Sequence, residues 1–405
     1  MGAFHILNIG CKVNRVEADT VAAALLSDGW EQAPLEQADL VLVNTCTVTA
    51  EADKKCRKAV RRALSRNPHA KVLVTGCAAA LDPTVFESMG ERVEVVGRAS
   101  LEKRIEAEHT PDQVLRVGGA FNTRVGIKVQ DGCNHSCSYC IVHTARSSER
   151  SLGHMRALEQ ARICFEAGVN EIILTGINIG AYDDGCTRLP GLLDAMLRCA
   201  ETFAEEGSFG PRIRLSSIEP LDVGEELEEL LAASDGRFCR HLHIPLQSGS
   251  SKVLSEMNRP YTAEWFVGRV AELRRSAPSL SISTDIIVGF PGETESDFAD
   301  TLEAARACGF SKIHVFPYSR REGTPAAQRK DQVDAGTKSE RARILRALSD
   351  ELRRADFEQR ADSVEMALVE PDHALTESYH RIAAPPDARP GELVSVRIGH
   401  SSMLQ

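Results

Sequence analysis

Residues 125–140 read Val-Gly-Ile-Lys-Val-Gln-Asp-Gly-Cys-Asn-His-Ser-Cys-Ser-Tyr-Cys. An apolar, β-branched run leads straight into a C-x3-C-x2-C loop formed by Cys133, Cys137 and Cys140. Thiolates suit soft metals, and three of them can hold three irons of a [4Fe–4S] cluster while the fourth iron stays open to a small molecule. A structural zinc site wants four ligands, and His135 or His143 would have to complete it. Zinc, or three unrelated cysteines, stays open at this point. The placement just past a strand favours function, because barrel active sites form at the C-terminal ends of their strands.

Working outward, the segments after this loop alternate between helical and strand patterns. HMRALEQARICFEAG, LPGLLDAMLRCAETFAEE, EELEELLAAS, AEWFVGRVAELRRSAP and SDFADTLEAARACG have helical period. Between them EIILTG, RIRLSS, HLHIPLQ, SISTDIIVGF and KIHVFPYS read as strands. With VGIKVQ they make six strands, which predicts an open (β/α)6 barrel over residues 119–330. Upstream, FHILNI, DLVLVNT, AKVLVTG and VEVVG alternate with VEADTVAAALLSDG and EADKKCRKAVRRALSRN. That βαβ pattern predicts a doubly wound parallel sheet over residues 1–118. Residues 331–362 read as a charged connecting helix, and the short pieces VEMALVE, ALTESYH, RIAAPP and ELVSVRIG make 363–405 a small β domain. The fold class is therefore α/β with a β appendage.

The upstream block carries a dispersed second set of cysteines. Cys11, Cys46 and Cys77 each stand just past a different strand. In a parallel sheet those ends share one edge, where ligands bind. Three thiols at equivalent positions can converge on one metal cluster, although a single free cysteine is commonly just a small buried hydrophobe. Cys56, Cys164, Cys186, Cys199, Cys239 and Cys308 are assigned no role.

Composition narrows the class. The 405 residues hold 42% hydrophobic and 26% charged side chains, which excludes wholesale disorder. No run of 18 apolar residues suggests a membrane span. The N-terminal MGAFHILNIGCKVN has no basic region before its apolar stretch and reads as a first strand, not a secretory signal. Without such a signal, twelve cysteines point to metal or redox chemistry and not to disulfides. The net charge of −10 argues against a general nucleic-acid binder, but residues 54–66 hold seven basic and no acidic side chains, a local patch suited to phosphates. Arg320, Arg321, Tyr379 and His380 are further candidates for RNA contact.

Several ordered segments resemble one family. They are Gly10-Cys11-Lys12-Val13-Asn14, Asn44-Thr45-Cys46-Thr47-Val48, Thr75-Gly76-Cys77, the cluster loop, LTGINIGAY, RLSSIEP, HLHIPLQSGS, MNRPYT, DIIVGFPGET and FPYSRREGTPAA. Together they resemble the methylthiotransferase family of radical S-adenosylmethionine (SAM) enzymes over essentially the whole chain. GCKVN, NTCTVT and FPYSRREGTPAA look like the branch acting on N6-threonylcarbamoyladenosine at position 37 of tRNA. After Cys140 the family typically has a Pro and an Ala-Arg-Gly, and here the run is Ile141-Val142-His143-Thr144-Ala145-Arg146-Ser147.

The resemblance implies two [4Fe–4S] clusters and SAM as cofactors. Cys133, Cys137 and Cys140 would hold the cluster that cleaves SAM; Cys11, Cys46 and Cys77 would hold the one that delivers sulfur. Thr175, Gly176 and Asn178, then Ser216, Ser217 and Glu219, then Gln247 follow successive barrel strands and would contact SAM. The C-terminal domain would be an RNA-binding β domain of TRAM type. Partners would be tRNA, a one-electron reductant such as flavodoxin or ferredoxin, and a sulfur source, with no membrane, in the cytoplasm. The competing readings are the same chemistry on isopentenyladenosine tRNA or a ribosomal-protein aspartate, and a non-catalytic iron–sulfur protein that binds RNA and senses redox state.

Overall fold

The structure, a computed structural model, describes residues 2–114, 123–204, 209–399 and 404. Five parallel strands form the N-terminal sheet: β1 (Ala3–Asn8), β2 (Glu31–Gln32), β3 (Leu40–Thr45), β4 (Lys71–Gly76) and β5 (Val93–Val95), in the order β2-β1-β3-β4-β5. The strands are apolar on both faces because helices cover both. Val41, Val43, Val72 and Val74 pack against Cys56, Val60 and Ala63 of helix Ala50–Arg66. On the opposite face Leu42 packs against Val21 and Ala24 of helix Lys12–Ser27 and Ile105 of helix Arg98–Glu108. The strand order reverses between β1 and β3, which is where doubly wound sheets bind their ligands. Cys11 and Cys46 follow those two strands.

The central unit is built from β6 (Val125–Lys128), β9 (Glu171–Thr175), β10 (Arg212–Leu215), β11 (His241–His243), β12 (Ser281–Val288) and β13 (Lys312–Pro317). They form two parallel three-stranded sheets, β10-β9-β6 and β11-β12-β13. Isolated bridges Ile213–Phe238 and Ser217–His243 join β10 to β11, so the six strands make one open arc. Two short strands, β7 (Gln130–Asp131) and β8 (Arg150–Ser151), pair antiparallel and tie off the base of the cysteine loop. The HLHIPLQ segment pairs continuously for only three residues; Pro245 has no N–H to donate, and pairing resumes at Gln247 through a bridge to Ile286.

Alternation along the barrel strands separates an apolar outside from a polar lumen. Leu242, Ile282, Ile286 and Val288 pack beneath the surrounding helices. The opposite face carries His241, His243, Ser283, Asp285 and His314, joined by a His243–Asp285 contact of 3.1 Å and by both His241 and His243 to the Ser283 hydroxyl at 2.9 Å. A barrel that serves only as a core fills this space with aliphatic side chains.

Helix Ala335–Glu358 leads to four antiparallel strands, β14 (Val364–Val369), β15 (Ala374–Thr376), β16 (Arg381–Ile382) and β17 (Leu393–Arg397). This small sheet docks under the N-terminal ends of β9 and β10. The buried Arg212 donates to the carbonyls of Met366 (2.7 Å) and Leu375 (3.0 Å), and Arg214 to those of Glu377 (3.0 Å) and Thr376 (3.1 Å). Both guanidiniums also bond the fully buried Glu171, at 2.6 and 2.9 Å. Among the described residues no helix is long and apolar enough to cross a membrane.

Burial opposes the charge on Glu171, but Arg214, Arg212 and Arg124 together hold its carboxyl well below the ordinary value of 4.5. A depressed carboxylate contributes stability that is complete above its unfolded pKa and lost as pH falls. Glu171→Gln leaves buried cations uncompensated, so unfolding in urea at neutral pH is expected to ease by about 3–5 kcal/mol. The deficit should shrink below about pH 4, where the unfolded chain takes up a proton on this carboxyl while the native protein still holds it ionised.

Candidate active site

Each N-terminal thiol is set by a specific local device. Cys11 is the N-cap of helix Lys12–Ser27, which fixes its thiol at the helix's N-terminal end. Cys46 ends β3, and the next helix starts promptly because the Thr49 hydroxyl accepts from the Ala52 amide at 3.1 Å. Cys77 opens a helix straight off β4. That abrupt exit requires Gly76 at φ +97°, where a Cβ would lie 2.3 Å from the Thr45 carbonyl. A buried pair knits the ends together: Asn14 Nδ2 donates to Asn44 Oδ1 (3.1 Å) and the Thr45 carbonyl (2.9 Å), and Asn44 returns a bond to the Asn14 carbonyl at 2.6 Å. The three sulfurs feel one another electrostatically. Burial first, then Cys11 and Cys77, pushes the Cys46 thiol up to about 11. Cys56 is a neighbour with a different role: its Sγ accepts from the Cys46 amide at 3.2 Å inside the core.

The second triad lies on the loop after β7. Gly132 sits at φ +78°, and a Cβ there would meet the Ser148 carbonyl at 2.1 Å. The loop is pinned from across the barrel: Ser138 bonds the carbonyls of Met257 (3.0 Å) and Glu256 (2.8 Å), and Asn258 Nδ2 reaches the Ser136 carbonyl at 3.0 Å. Cys133 and Cys140 accept from the amides of His135 and Val142, each at 3.4 Å. Burial and the neighbouring thiols push both up to about 11. Iron binds the thiolate, so a cluster held by either triad would displace protons on loading.

Two arginines, missed in the sequence reading, organise these sulfurs. Arg259, buried beside the loop, donates to Cys137 Sγ at 3.3 Å, to the Tyr261 hydroxyl at 3.0 Å, and to Glu219. Arg146 is fully buried. It donates from Nε to Cys77 Sγ (3.1 Å), from Nη1 to Glu17 (2.8 Å) and Asp131 (3.0 Å), and from Nη2 to Asn14 (3.1 Å) and Glu17 (3.1 Å). Arg146 lies six residues past Cys140, yet it bonds a thiol of the other triad. It therefore joins the loop of one triad to the sulfur of the other. Burial disfavours charge on Asp131, but Lys128, Arg146, Arg98 and Arg150 hold its carboxyl well below the usual range. A cavity of about 500 Å³ lies beside this network, between helix Lys12–Ser27 and β6, and no cysteine lines it.

The turn after Arg146 is strained. Ser147 stands at φ 63°, ψ −165°, a region kept almost exclusively by glycine. Its side chain is exposed, and its carbonyl accepts from Cys133 at 3.2 Å. Ser147→Gly is expected to raise stability by about 1 kcal/mol in denaturant titration, the relieved strain exceeding the entropy that glycine adds to the unfolded chain. A loss of stability would contradict this.

Two strand-end residues connect to the loop of the second triad, Asn178 through Glu149, which also bonds Asn134, and Glu219 through Arg259. Thr175 Oγ1, Asn178 Oδ1, Ser216 Oγ and His143 Nδ1 are buried and have no hydrogen-bond partner among the described residues. Asn178 is held in place, its amide donating to Gln130 Oε1 (2.8 Å) and its Nδ2 to Glu149 (2.9 Å). Gly176 lies against Gln130, where a Cβ would meet Oε1 at 2.9 Å. Gln247 adopts φ +71°, rare for a residue with a side chain, while its backbone still pairs with Asp285 and Ile287. Buried hydroxyls without partners are costly in a finished core; here they fit a polar ligand such as the methionyl end of SAM. Ser217 follows Ser216 and pairs across the seam with His243.

Comparison with known proteins now decides the family. The Radical SAM superfamily profile matches residues 127–305, and that of the uncharacterized protein family UPF0004 matches residues 3–97. The chain is 39% identical over 375 residues, 86% of its length and 80% of the relative's, to threonylcarbamoyladenosine tRNA methylthiotransferase MtaB of Bacillus subtilis (strain 168). The chain belongs to the radical-SAM methylthiotransferase family. It is also 34% identical over 364 residues, 84% of its length and 80% of the relative's, to tRNA-2-methylthio-N(6)-dimethylallyladenosine synthase of Desulfitobacterium hafniense (strain Y51). Among solved structures, the radical SAM methyltransferase TsrM of Kitasatospora setae shares the fold at 15% identity, with a TM-score of 0.56 over 80% of this chain and 76% of that one.

Three sequence expectations about RNA contact in this methylthiotransferase change. Arg321 is buried, bonded to Thr47 and paired with Asp53 at 2.6 Å, so it fastens the barrel to the N-terminal domain. His380 is buried on Asp356 at 2.7 Å. Tyr379 stacks on His241 with ring centroids 4.6 Å apart. Lys54, Lys55, Lys58, Arg61 and Arg62 are exposed on their helix, as a phosphate-binding face requires.

Proposed function

We propose that this methylthiotransferase adds a methylthio group to C2 of N6-threonylcarbamoyladenosine at position 37 of tRNA. The observation that carries the reading is Arg146, which links the loop of one cysteine triad to Cys77 of the other and so makes them parts of one site. Identity of 39% to a relative named for this nucleoside, against 34% to one named for dimethylallyladenosine, favours the branch. Cys133, Cys137 and Cys140, all free thiols, would hold one [4Fe–4S] cluster, and Cys11, Cys46 and Cys77 the other. When bound, the first supplies reductive cleavage of SAM to methionine and a 5′-deoxyadenosyl radical, and the second supplies the sulfur that is methylated and transferred.

The chain's own residues bind and orient. Thr175, Gly176, Asn178, Ser216, Ser217, Glu219 and Gln247 hold SAM at the strand ends. Arg259 donates to Cys137 Sγ and so orients that sulfur, while fixing Glu219. Arg146 does the same for Cys77. The exposed basic face of helix Ala50–Arg66 meets tRNA phosphates. A one-electron donor such as flavodoxin or ferredoxin and a separate sulfur source complete the cycle, in the cytoplasm.

Anaerobic incubation of the iron-loaded protein with SAM and dithionite is expected to yield 5′-deoxyadenosine. Intact SAM with both clusters verified would favour a non-catalytic iron–sulfur sensor instead.

A further inference from the structure

We propose that Lys12 is the residue that reads the carboxylate of the substrate's threonylcarbamoyl group, at a subsite where all three domains meet. This rests on the threonylcarbamoyl reading above and deepens it.

Lys12 follows Cys11, so the first turn of one helix presents both the thiol and the ammonium. The side chain is half-buried, and among the described residues no carboxylate lies within ion-pair distance of it. Among the described residues its close partner is a π face: Nζ stands 5.5 Å from the centroid of Tyr379, which the C-terminal domain sends up against the barrel. Arg214 lies over the same ring at 4.8 Å, but Arg214 is saturated by Glu171 and backbone carbonyls. Lys12 is not. Nearby, the lumen offers His243, Asp285 and His314, whose ligating atoms lie within 4.8 Å of one another, and His314 is exposed to the open space. Burial beneath the Tyr379 ring holds His241 neutral, so it does not compete with Lys12 for an anion. A cation with this little compensation, half out of water and beside the sulfur-delivering triad, fits an anion at the far end of the base to be modified. The threonylcarbamoyl tail ends in a carboxylate. The isopentenyl tail carries no charge and would leave Lys12 without a partner.

The test measures anaerobic binding of anticodon stem-loop RNAs to the iron-loaded protein. Four RNAs carry at position 37 threonylcarbamoyladenosine, its carboxamide, isopentenyladenosine or unmodified adenosine. The unaltered protein is expected to bind the first tighter than the carboxamide by on the order of tenfold to a hundredfold, the span of one charge-assisted hydrogen bond. Lys12→Met should erase that preference, with iron content confirming both clusters, and Lys12→Arg should restore part of it. Equal binding of the carboxylate and carboxamide RNAs by the unaltered protein would overturn the proposal without needing any variant. An equal loss on all four RNAs in Lys12→Met would assign Lys12 to a phosphate and overturn it too. A preference for the isopentenyl RNA would instead sink the substrate reading itself.

Discussion

Cys137→Ala is expected to abolish SAM cleavage, whereas Cys46→Ala abolishes methylthiolation and leaves 5′-deoxyadenosine formation measurable. Each triad offers three thiols to a cluster, and removal of one leaves too few ligands to hold it. Cys137 sits in the loop that Asn178 reaches through Glu149 and Asn134, and Arg259 donates to its sulfur at 3.3 Å. On the proposed assignment its loss strikes the SAM-cleaving centre and everything downstream. Cys46 stands at the end of β3, anchored by the core and not by the barrel loop, so its loss leaves that loop intact. The measurement is a paired assay, 5′-deoxyadenosine by chromatography and methylthio-nucleoside by mass spectrometry, with iron counted in each variant. Full methylthiolation by Cys46→Ala would remove the second cluster from the account.

Arg146→Met is expected to destabilise the protein by about 3–5 kcal/mol and to loosen the second cluster. The substitution keeps volume and removes the charge between Glu17 and Asp131, both nearly inaccessible. Lys128 and Arg98 compensate part of the deficit, yet neither replaces the bonds to Cys77 and Asn14. Glu17 lies in the N-terminal domain and Asp131 in the barrel, so the two units should also separate more easily. Arg146→Lys should recover only part of the stability, since a single ammonium cannot reach Cys77, Glu17, Asp131 and Asn14 as a planar fork does. Urea unfolding and the rate of iron loss to a chelator read the two effects. Unchanged values in both would show that the network contributes nothing.

Much of this architecture is legible in one dimension because its driving pattern is local. Val41, Val43, Val72 and Val74 announce buried parallel strands, and a cysteine placed just past each strand end lands on the sheet edge by topology alone. The barrel follows in the same way from its apolar runs. Arg146 and Arg259 were not legible. Arg146 bonds a thiol 69 positions upstream and Arg259 one 122 positions upstream, and nothing in a local pattern encodes such separations. Arg321 shows the converse error. A pair of arginines after a strand suggests phosphate binding, but basicity does not say whether Asp53 lies against the side chain. The polar lumen was overlooked for a related reason: HLH reads as an alternating strand, and only the assembled open arc reveals that His243 faces Asp285 and His314.

The most direct test of the whole account is nucleoside mass spectrometry after one anaerobic reaction of iron-loaded protein with SAM, a reductant, sulfide and tRNA bearing N6-threonylcarbamoyladenosine. The account expects the 2-methylthio derivative of that nucleoside, together with 5′-deoxyadenosine. Formation of 5′-deoxyadenosine with the nucleoside unchanged, on tRNA that the protein binds, would contradict the assigned substrate.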